Sequence, residues 1–277
     1  MSTPLRVLVL VTVVIVYYWL GKAVLFRAVR RLAAVTRIGP ARWGTAQRAD
    51  VFELAAAGAS HVVVVAALLA VSGIGPGILV GGLGRPELLV LGALLGVGEL
   101  AIGSLLCRGL IEVRLAGGGG GGSSARTRVG STRTSRTAGT PPARTGVRTR
   151  EDHGMSLRSW LGRSRGGWIR HHLTALKVLP LWAALGLTGV QVASEELVFR
   201  GIALTWLRDA GPAVALTTSV VLFVVMQAFF MSSWQGAMFP VVGGVVMGVV
   251  HGLVFWAVPD VAPLVVAHIV FFVFAVI

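Results

Sequence analysis

Cysteine, acidic side chains and charge are all scarce in this chain. There is one cysteine, Cys107, so an internal disulfide is excluded and the redox compartment is not indicated. Aspartate and glutamate number 11 against 25 lysines and arginines, and charged residues make up only 13% of the 277 positions. Soluble globular domains carry about 25% charged residues. The composition therefore argues against that class of protein.

Apolar side chains make up 55% of the sequence and give a mean hydropathy of +0.81. A helix needs about 20 apolar residues to cross a bilayer. The sequence predicts an all-α, polytopic membrane helical bundle of about seven spans. The first run lacks a basic start and a following cleavage site, so we interpret it as a retained span rather than a signal peptide. The candidate spans are Leu5–Phe26, Leu54–Ser72, Leu88–Cys107, Leu173–Ala193, Pro212–Ser232, Ala237–Val258 and Val261–Ile277.

The positive charges are confined mainly to two segments. Residues 22–48 hold seven of the 25 basic side chains and residues 108–170 hold 13, and two candidate spans separate these segments. By the positive-inside bias both lie in the cytoplasm, which puts the amino terminus outside. We expect an integral, multi-pass protein of the plasma membrane whose basic loops contact membrane lipid, with no nucleic-acid partner, because neither segment interleaves the aromatic residues that such binding uses.

The composition changes abruptly in the middle of the chain. Residues 117–122 are six consecutive glycines, and the sequence to about Arg150 is Gly, Ser, Thr, Arg and Pro with almost no large apolar side chain. Such a segment cannot bury enough surface to offset its ordering entropy. We predict three parts: a three-span membrane region at 1–107, a basic, disordered, cytoplasmic linker at 108–170 and a second membrane domain at 171–277.

Two ionisable residues of the first region are expected at membrane depth. His61 lies about eleven residues before the end of its span, and Glu99 about eleven residues after the start of the next. A helical hairpin would bring them to a similar depth. The sequence predicts a structural His61–Glu99 contact or a water-lined crevice, with a functional role as the alternative.

The segment "SEELVFRG", residues 194–201, places two acids and one base in an apolar stretch. Glu196 and Arg200 are four residues apart on one helix face and are expected to form an ion pair. Glu195 points about 100° away and is expected to have no partner in its own helix. A lone carboxylate in a low-dielectric site has the properties of a general base that activates water.

Few polar side chains of the later spans are available to face Glu195. They are Gln227, His251 and His268. Phe223 and Gln227 share a helix face, and His268 lies in the middle of the last span. Each has a structural reading, since a membrane glutamine often bonds a neighbouring helix and a single histidine is often part of a packed core. Their combination with an unpaired glutamate favours a site.

Residues 194–277 are similar to the CPBP family of intramembrane endopeptidases, which includes CAAX prenyl proteases and bacteriocin-processing relatives. That family shows E-E-x-x-x-R, then F-x-x-x-H, then H-x-x-x-N on successive helices. "EELVFR" matches the first motif, and Phe223 opens the second, whose histidine is replaced by Gln227. His268 matches the histidine of the third motif, and Phe272 stands where its asparagine is expected.

The resemblance implies a hydrolase acting on a hydrophobic or lipidated peptide. Glu195 would be the base, Glu196 with Arg200 the orienting pair, and His268 a polar partner. Gln227 cannot shuttle a proton but can donate a hydrogen bond. The family resemblance allows a divalent metal such as zinc, held by Glu195, His268 and His251, yet the sequence predicts no tight zinc site and no other cofactor, because structural and catalytic zinc sites take at least three well-placed ligands.

Two other functions remain open at this point. The protein can have the same fold without catalytic activity and bind a peptide or a partner helix, as in bacteriocin immunity. Alternatively, His61, Glu99 and Glu195 can form the proton relay of a small transporter, although the repeated, discontinuous spans typical of one are not evident. Motifs alone do not decide among these functions.

Overall fold

The computed structural model describes residues 1–36, 38–75, 77, 84–118, 169–229, 231 and 233–276. Most of the predicted linker, including its glycine run beyond Gly118, lies outside the described residues. The ends of the flanking helices differ from the predicted boundaries, because one helix continues past Cys107 to Gly118 and the next begins at Ile169.

The described residues form helices and no strands, which confirms the predicted all-α bundle. We number eight helices in chain order, and α5 contains a π-helical turn at Leu197–Ile202 between two α-helical parts. The helices are α1 Thr3–Val35, α2 Thr45–Ser72, α3 Pro86–Gly118, α4 Ile169–Val178, α5 Leu181–Glu196 continuing to Ala203–Trp206, α6 Pro212–Phe229, α7 Trp234–Ala257 and α8 Ala262–Val276.

Five of these helices, α1, α2, α3, α6 and α7, are long and apolar enough to cross a membrane. Helix α8 is apolar but shorter. The predicted span Leu173–Ala193 is divided between α4 and α5, because Pro180 has no N–H for a continuous helix and instead occupies the N-cap position of α5. Large apolar side chains on the outer faces are exposed, for example Leu94 at 67% and Leu105 at 70%. Lipid is the environment that suits such faces.

Helix α5 lies at the centre of the bundle. It packs against α2, α4, α6, α7 and α8. Its π-helical turn supplies fully buried apolar side chains, including Val198, Phe199 and Ile202, to a core shared with α1, α6 and α7. This placement surrounds the acidic motif at the end of Leu181–Glu196 with protein on several sides.

Helix α3 packs most extensively on α8 and also on α7. Glycine allows the close contact with α8, because a Cβ at Gly92 would lie 2.3 Å from the carbonyl oxygen of Pro263, and one at Gly96 would lie 2.3 Å from that of Ala267. Small residues permit this kind of close approach between membrane helices. The third helix of the first region is thereby joined to the last helix of the second.

A second π-helical turn, Val14–Gly21, interrupts α1. Tyr18 from this turn and Phe199 from the π-helical turn of α5 are each 1% exposed, and their ring centroids lie 6.0 Å apart. Single π-helical turns inside α-helices occur frequently at functional sites. Here the two turns face each other next to the acidic motif.

Candidate active site

The three charged residues of "EELVFR" are buried together at the junction of the α-helical and π-helical parts of α5. Glu196 and Arg200 are fully buried and Glu195 is 5% exposed. Burying three ionised groups is costly unless each has polar partners. Their hydrogen-bond and ion-pair partners come from α7 and α8 as well as from α5 itself.

Glu196 is the most connected acid of this group. Arg200 Nη1 lies 3.4 Å from Glu196 Oε1, which is the expected pair at i and i+4. His268 donates through Nδ1 to the same oxygen at 2.7 Å, and His251 Nδ1 lies 3.0 Å from the other oxygen. The second glutamate thus joins three helices, and this polar cluster fixes their relative positions.

Phe223 links the arginine to the last helix. The guanidinium carbon of Arg200 lies 4.0 Å from the centroid of the Phe223 ring, in a cation–π contact. The same ring is nearly perpendicular to the imidazole of His268, with ring centroids 6.0 Å apart. The aromatic residue of the second motif therefore packs between the buried cation and the imidazole.

The expected contact between His61 and Glu99 is wrong. Glu99 instead accepts from Nε2 of His251, at 3.1 and 3.2 Å from its two oxygens, while His61 Nδ1 bonds the carbonyl of Ala57 at 2.9 Å. The reason is the packing of α3 against α8 and α7, where a hairpin with α2 was expected. His251, which the sequence analysis named among the polar side chains available to face Glu195, instead bridges Glu99 and Glu196.

Glu195 has a partner in its own helix, contrary to expectation. Gln191, one turn earlier, donates through Nε2 to Glu195 Oε1 at 2.6 Å. This i, i+4 contact is ordinary helix geometry, but the sequence argument considered only the direction of Arg200. A single amide bond leaves the second carboxylate oxygen available for another donor.

Glu195, Gln227 and His268 line one cavity. The space open to the centre of a water molecule is about 50 Å³. One water needs roughly 10–15 Å³ of this space, so the cavity has room for a few water molecules. Most of its wall is apolar. The other lining residues are Ile169, His172, Gln191, Val192, Met231, Phe239, Pro240, Met247, Phe271, Phe272 and Ala275.

His172 is a cavity residue that sequence reasoning missed. It is 1% exposed, and its Nδ1 lies 2.9 Å from the hydroxyl of Thr188 on α5. The Phe272 ring packs on the imidazole with centroids 4.4 Å apart. The sequence signal for it was the pair of histidines at 171–172 directly before an apolar run. Without the structure, this pair resembles part of a segment at the membrane interface.

A second ionisable cluster lies where α2 meets α4. Asp50, Glu53 and His171 bring one ligand atom each within 4.8 Å of the others. Arg30 forms an ion pair with Glu53, and Arg170 lies 3.3 Å from Asp50. Because a guanidinium already neutralises each carboxylate, the arrangement is that of an ion-pair network joining helices.

The donor set around Glu195 does not fit a zinc ion. Both ring nitrogens of His251 contact carboxylates, so this side chain offers no nitrogen lone pair to a metal. Among the residues that the structure describes, three ligand atoms converge within 4.8 Å only in the Asp50 cluster. Glu195 and His268 alone fall short of the three protein ligands that a zinc site usually has.

Comparison with known proteins finds one family similarity, in the carboxy-terminal part of the chain. Residues 177–274 match the family model described as type II CAAX prenyl endopeptidase Rce1-like. Comparison with curated proteins gives no match, and neither does comparison with solved structures. The match contains Glu195, Glu196, Arg200, Gln227 and His268. Over residues 177–274 this integral membrane protein is therefore similar to the CAAX protease family, as "EELVFR" and the motif residues of the later helices indicate.

Proposed function

We propose that the protein is an intramembrane endopeptidase that hydrolyses a hydrophobic or lipidated peptide by means of a glutamate-activated water. One observation carries the proposal: Glu195, Gln227 and His268 line one cavity large enough for water. A general base must lie within hydrogen-bond reach of the water that it deprotonates. A water in this cavity has the Glu195 carboxylate as its acceptor.

The reaction begins when Glu195 takes a proton from this water as the oxygen attacks the peptide carbonyl carbon. The carbonyl oxygen then becomes negative and needs hydrogen-bond donors. The Gln227 amide is a donor in the cavity wall, and the imidazole of His268 is a second donor when both of its ring nitrogens carry a proton, since Nδ1–H already donates to Glu196. One such donor contributes roughly 3–4 kcal/mol to the transition state. Glu195 later returns the proton to the leaving amine, which completes the hydrolysis.

Glu196 and Arg200 support this chemistry without meeting the substrate. Glu196 holds Nδ1 of His268 at 2.7 Å, which leaves the opposite ring nitrogen, Nε2, for the cavity. Arg200 offsets the charge of Glu196, so that the site contains one carboxylate free to act as a base. These two residues are positioning residues in the proposed mechanism.

The substrate class follows from the cavity wall. Apolar side chains such as Met231, Phe239, Met247 and Phe271 line it, and apolar walls with a few polar groups suit a mostly hydrophobic ligand. The partners that we propose are membrane lipid and a hydrophobic or lipidated peptide, with no nucleic acid. The proposed setting is the plasma membrane, with the 108–170 linker in the cytoplasm.

The test uses the purified full-length protein in liposomes with internally quenched peptides, one farnesylated and one unmodified. We expect cleavage of the farnesylated peptide, and a fall in kcat of about 100-fold to 10,000-fold in Glu195→Gln. Glu112→Gln is the matched control, because this glutamate is 58% exposed on α3 and lies outside the cavity. Equal activity of Glu195→Gln and the parent protein would refute the proposed base.

A second function is favoured by a specific observation. Both His251 and His268 contact Glu196 rather than Glu195, and Gln227 and Phe272 replace residues that the CAAX family pattern expects. A protein that uses this cavity to bind a peptide or partner helix without cleaving it would retain the same packing. Binding of the farnesylated peptide with no product after prolonged incubation would select this function.

A further inference from the structure

Glu99 is a buried acid of the first membrane region that the proposed mechanism does not use. It lies on α3, one of the described helices that are long and apolar enough to cross a membrane, and it is 2% exposed. It also lies outside the family match at 177–274. An ionisable side chain in a membrane-spanning helix is costly and is a candidate for function.

A continuous series of polar contacts joins Glu99 to the cavity. The two oxygens of Glu99 lie 3.1 and 3.2 Å from Nε2 of His251 on α7. Nδ1 of His251 lies 3.0 Å from one oxygen of Glu196 on α5, and Nδ1 of His268 on α8 lies 2.7 Å from the other. All four side chains are buried, and His268 lines the cavity together with Glu195.

His251 connects the two acids because each of its ring nitrogens faces a carboxylate. A carboxylate only accepts hydrogen bonds, and a neutral imidazole has a single N–H. Each of the two contacts needs its own proton, and the imidazolium form of His251 supplies both. Arg200 is the second cation of the cluster, 3.4 Å from Glu196, so that two buried acids are balanced by two buried cations.

Glu99 therefore determines how firmly His251 is held against Glu196. Without the Glu99 carboxylate, Nε2 of His251 loses its acceptor in a buried site, which is unfavourable for an N–H group. The ring then has less reason to keep its second proton and its orientation, and its contact with Glu196 weakens. The Glu196 carboxylate, released on one side, is free to rotate away from His268.

We propose that Glu99 is a positioning residue of the peptidase site, which holds His251 and, through it, the Glu196 carboxylate that orients His268. This inference rests on the proposed peptidase function. Glu99 is not among the residues that line the cavity, so it acts on the reaction only through this series of contacts. The first membrane region is then part of the catalytic unit and not a separate anchor.

The kinetic test compares Glu99→Leu and Glu99→Gln with the parent protein in liposomes, using the farnesylated peptide. Glu99→Leu removes the acceptor, whereas Glu99→Gln keeps a carbonyl oxygen that can accept from Nε2 of His251. Misplacement of a catalytic group by about 1 Å can lower a rate by about 100-fold. We expect kcat to fall roughly 10-fold to 100-fold in Glu99→Leu with little change in KM, and Glu99→Gln to recover part of the loss.

Two further variants separate positioning from a general loss of stability. Ile111→Ala creates a cavity on the same helix, in a cluster with Cys107 and Met238, and we expect the folded protein to keep the parent kcat. In a protein that already contains His251→Leu, Glu99→Leu should lower kcat no further, because Glu99 acts through His251. A full additional decrease in that double variant would refute this route.

A spectroscopic measurement tests the same contacts without turnover. The ¹⁵N spectrum of histidine-labelled protein in bicelles reports which ring nitrogens carry protons, and spectra of His251→Gln and His268→Gln assign the signals. We expect both nitrogens of His251 to be protonated in the parent protein, and the Nδ1 signal of His268 to shift in Glu99→Leu. An unchanged His268 signal contradicts the proposed positioning. Glu99→Gln serves for both measurements if Glu99→Leu fails to fold.

The outcomes separate the two levels of the proposal. If Glu195→Gln is inactive while Glu99→Leu keeps the parent kcat, the peptidase function stands and the role of Glu99 is refuted. If the parent protein cleaves neither peptide, the peptidase function fails and the role of Glu99 in catalysis fails with it. Loss of kcat in Glu99→Leu, together with a shifted His268 signal and an unaffected Ile111→Ala, supports both.

Discussion

His268 Nδ1 lies 2.7 Å from Glu196 Oε1, so the imidazole of the last helix bonds the second glutamate of the motif and not the first. Glu196 also contacts Arg200 and His251. The two neighbouring glutamates therefore have different roles. Glu196 is a structural hub among three helices, and Glu195 faces a cavity with one amide partner.

The first prediction concerns the stability that Glu196 provides. Glu196→Gln removes the charge that neutralises fully buried Arg200, and a buried charge without its partner destabilises a protein by about 3–5 kcal/mol. We expect a loss of this size in the free energy of unfolding, measured by steric trapping in bicelles. Replacing both members, Glu196→Gln with Arg200→Met, should cost less than the sum of the single changes because no unpaired charge remains.

The exposed pair Arg108–Glu112 is the control for this prediction. It has the same i, i+4 spacing, but its side chains are 64% and 58% exposed. An exposed pair contributes only about 0–1 kcal/mol. If Glu112→Gln and Glu196→Gln reduce the free energy of unfolding equally, the buried hub is not a stabilising feature.

The second prediction tests the contact that joins the two membrane regions. Glu99 on α3 and His251 on α7 lie 3.1 Å apart at their closest atoms. A double-mutant cycle with Glu99→Gln and His251→Gln should give a coupling energy of about 0.5–3 kcal/mol in unfolding. The measurement is again steric trapping, applied to both single variants and the double variant.

The control is a second double-mutant cycle, on Glu99 and His61, the pair that the sequence favoured. Effects at sites without shared partners usually add within about 0.3–0.5 kcal/mol. We therefore expect Glu99→Gln and His61→Gln to be additive. Strong coupling between Glu99 and His61, together with none between Glu99 and His251, would contradict the observed packing of α3.

The third prediction concerns the amide at position 227. Gln227→Leu keeps a similar volume but removes the donor, so kcat for the farnesylated peptide should fall about 100-fold. Gln227→His restores a ring nitrogen that can donate or accept, and we expect kcat to rise. Glycine at position 244 on α7 accommodates the side chain at position 227, because a Cβ there would lie 3.2 Å from Gln227 Cγ.

The same two variants separate the competing functions. An inactive parent protein combined with an active Gln227→His variant would show that the fold has kept a cavity and lost its chemistry. Unchanged kcat in Gln227→Leu would remove Gln227 from the proposed set of donors. Steady-state kinetics with both quenched peptides distinguish these results.

The membrane class and the Glu196–Arg200 ion pair were predictable from sequence because they depend on local properties. Apolar composition indicates a helical bundle, and the spacing of Glu196 and Arg200 places them on one helix face. The Gln191–Glu195 bond has the same spacing and was predictable by the same rule. The charged residues of 194–200 within an apolar stretch were sufficient to single out the candidate site.

The contacts between distant helices were not predictable in this way. Lipid-facing and protein-facing sides of these helices are both apolar, so hydropathy does not show which helices are neighbours. This is why Glu99 was assigned to His61 when its partner is His251. His172 was missed for a related reason, since it precedes the recognised motifs and reaches the cavity only through the break at Pro180.

The last prediction tests the glycines that allow α3 to approach α8. A Cβ at Gly96 would lie 2.3 Å from the Ala267 carbonyl oxygen, next to His268. Gly96→Ala must therefore move α8 or its backbone, and overpacking of this kind costs about 1–3 kcal/mol or more. The control is Gly98→Ala, because a Cβ at Gly98 meets no atom within 4 Å and the exchange improves helix propensity. We expect Gly96→Ala to lower both the free energy of unfolding and kcat, since a displaced α8 moves His268 away from Glu196, whereas Gly98→Ala should preserve both. If Gly96→Ala unfolds at the same free energy as the parent protein, the close contact between α3 and α8 does not exist in the membrane.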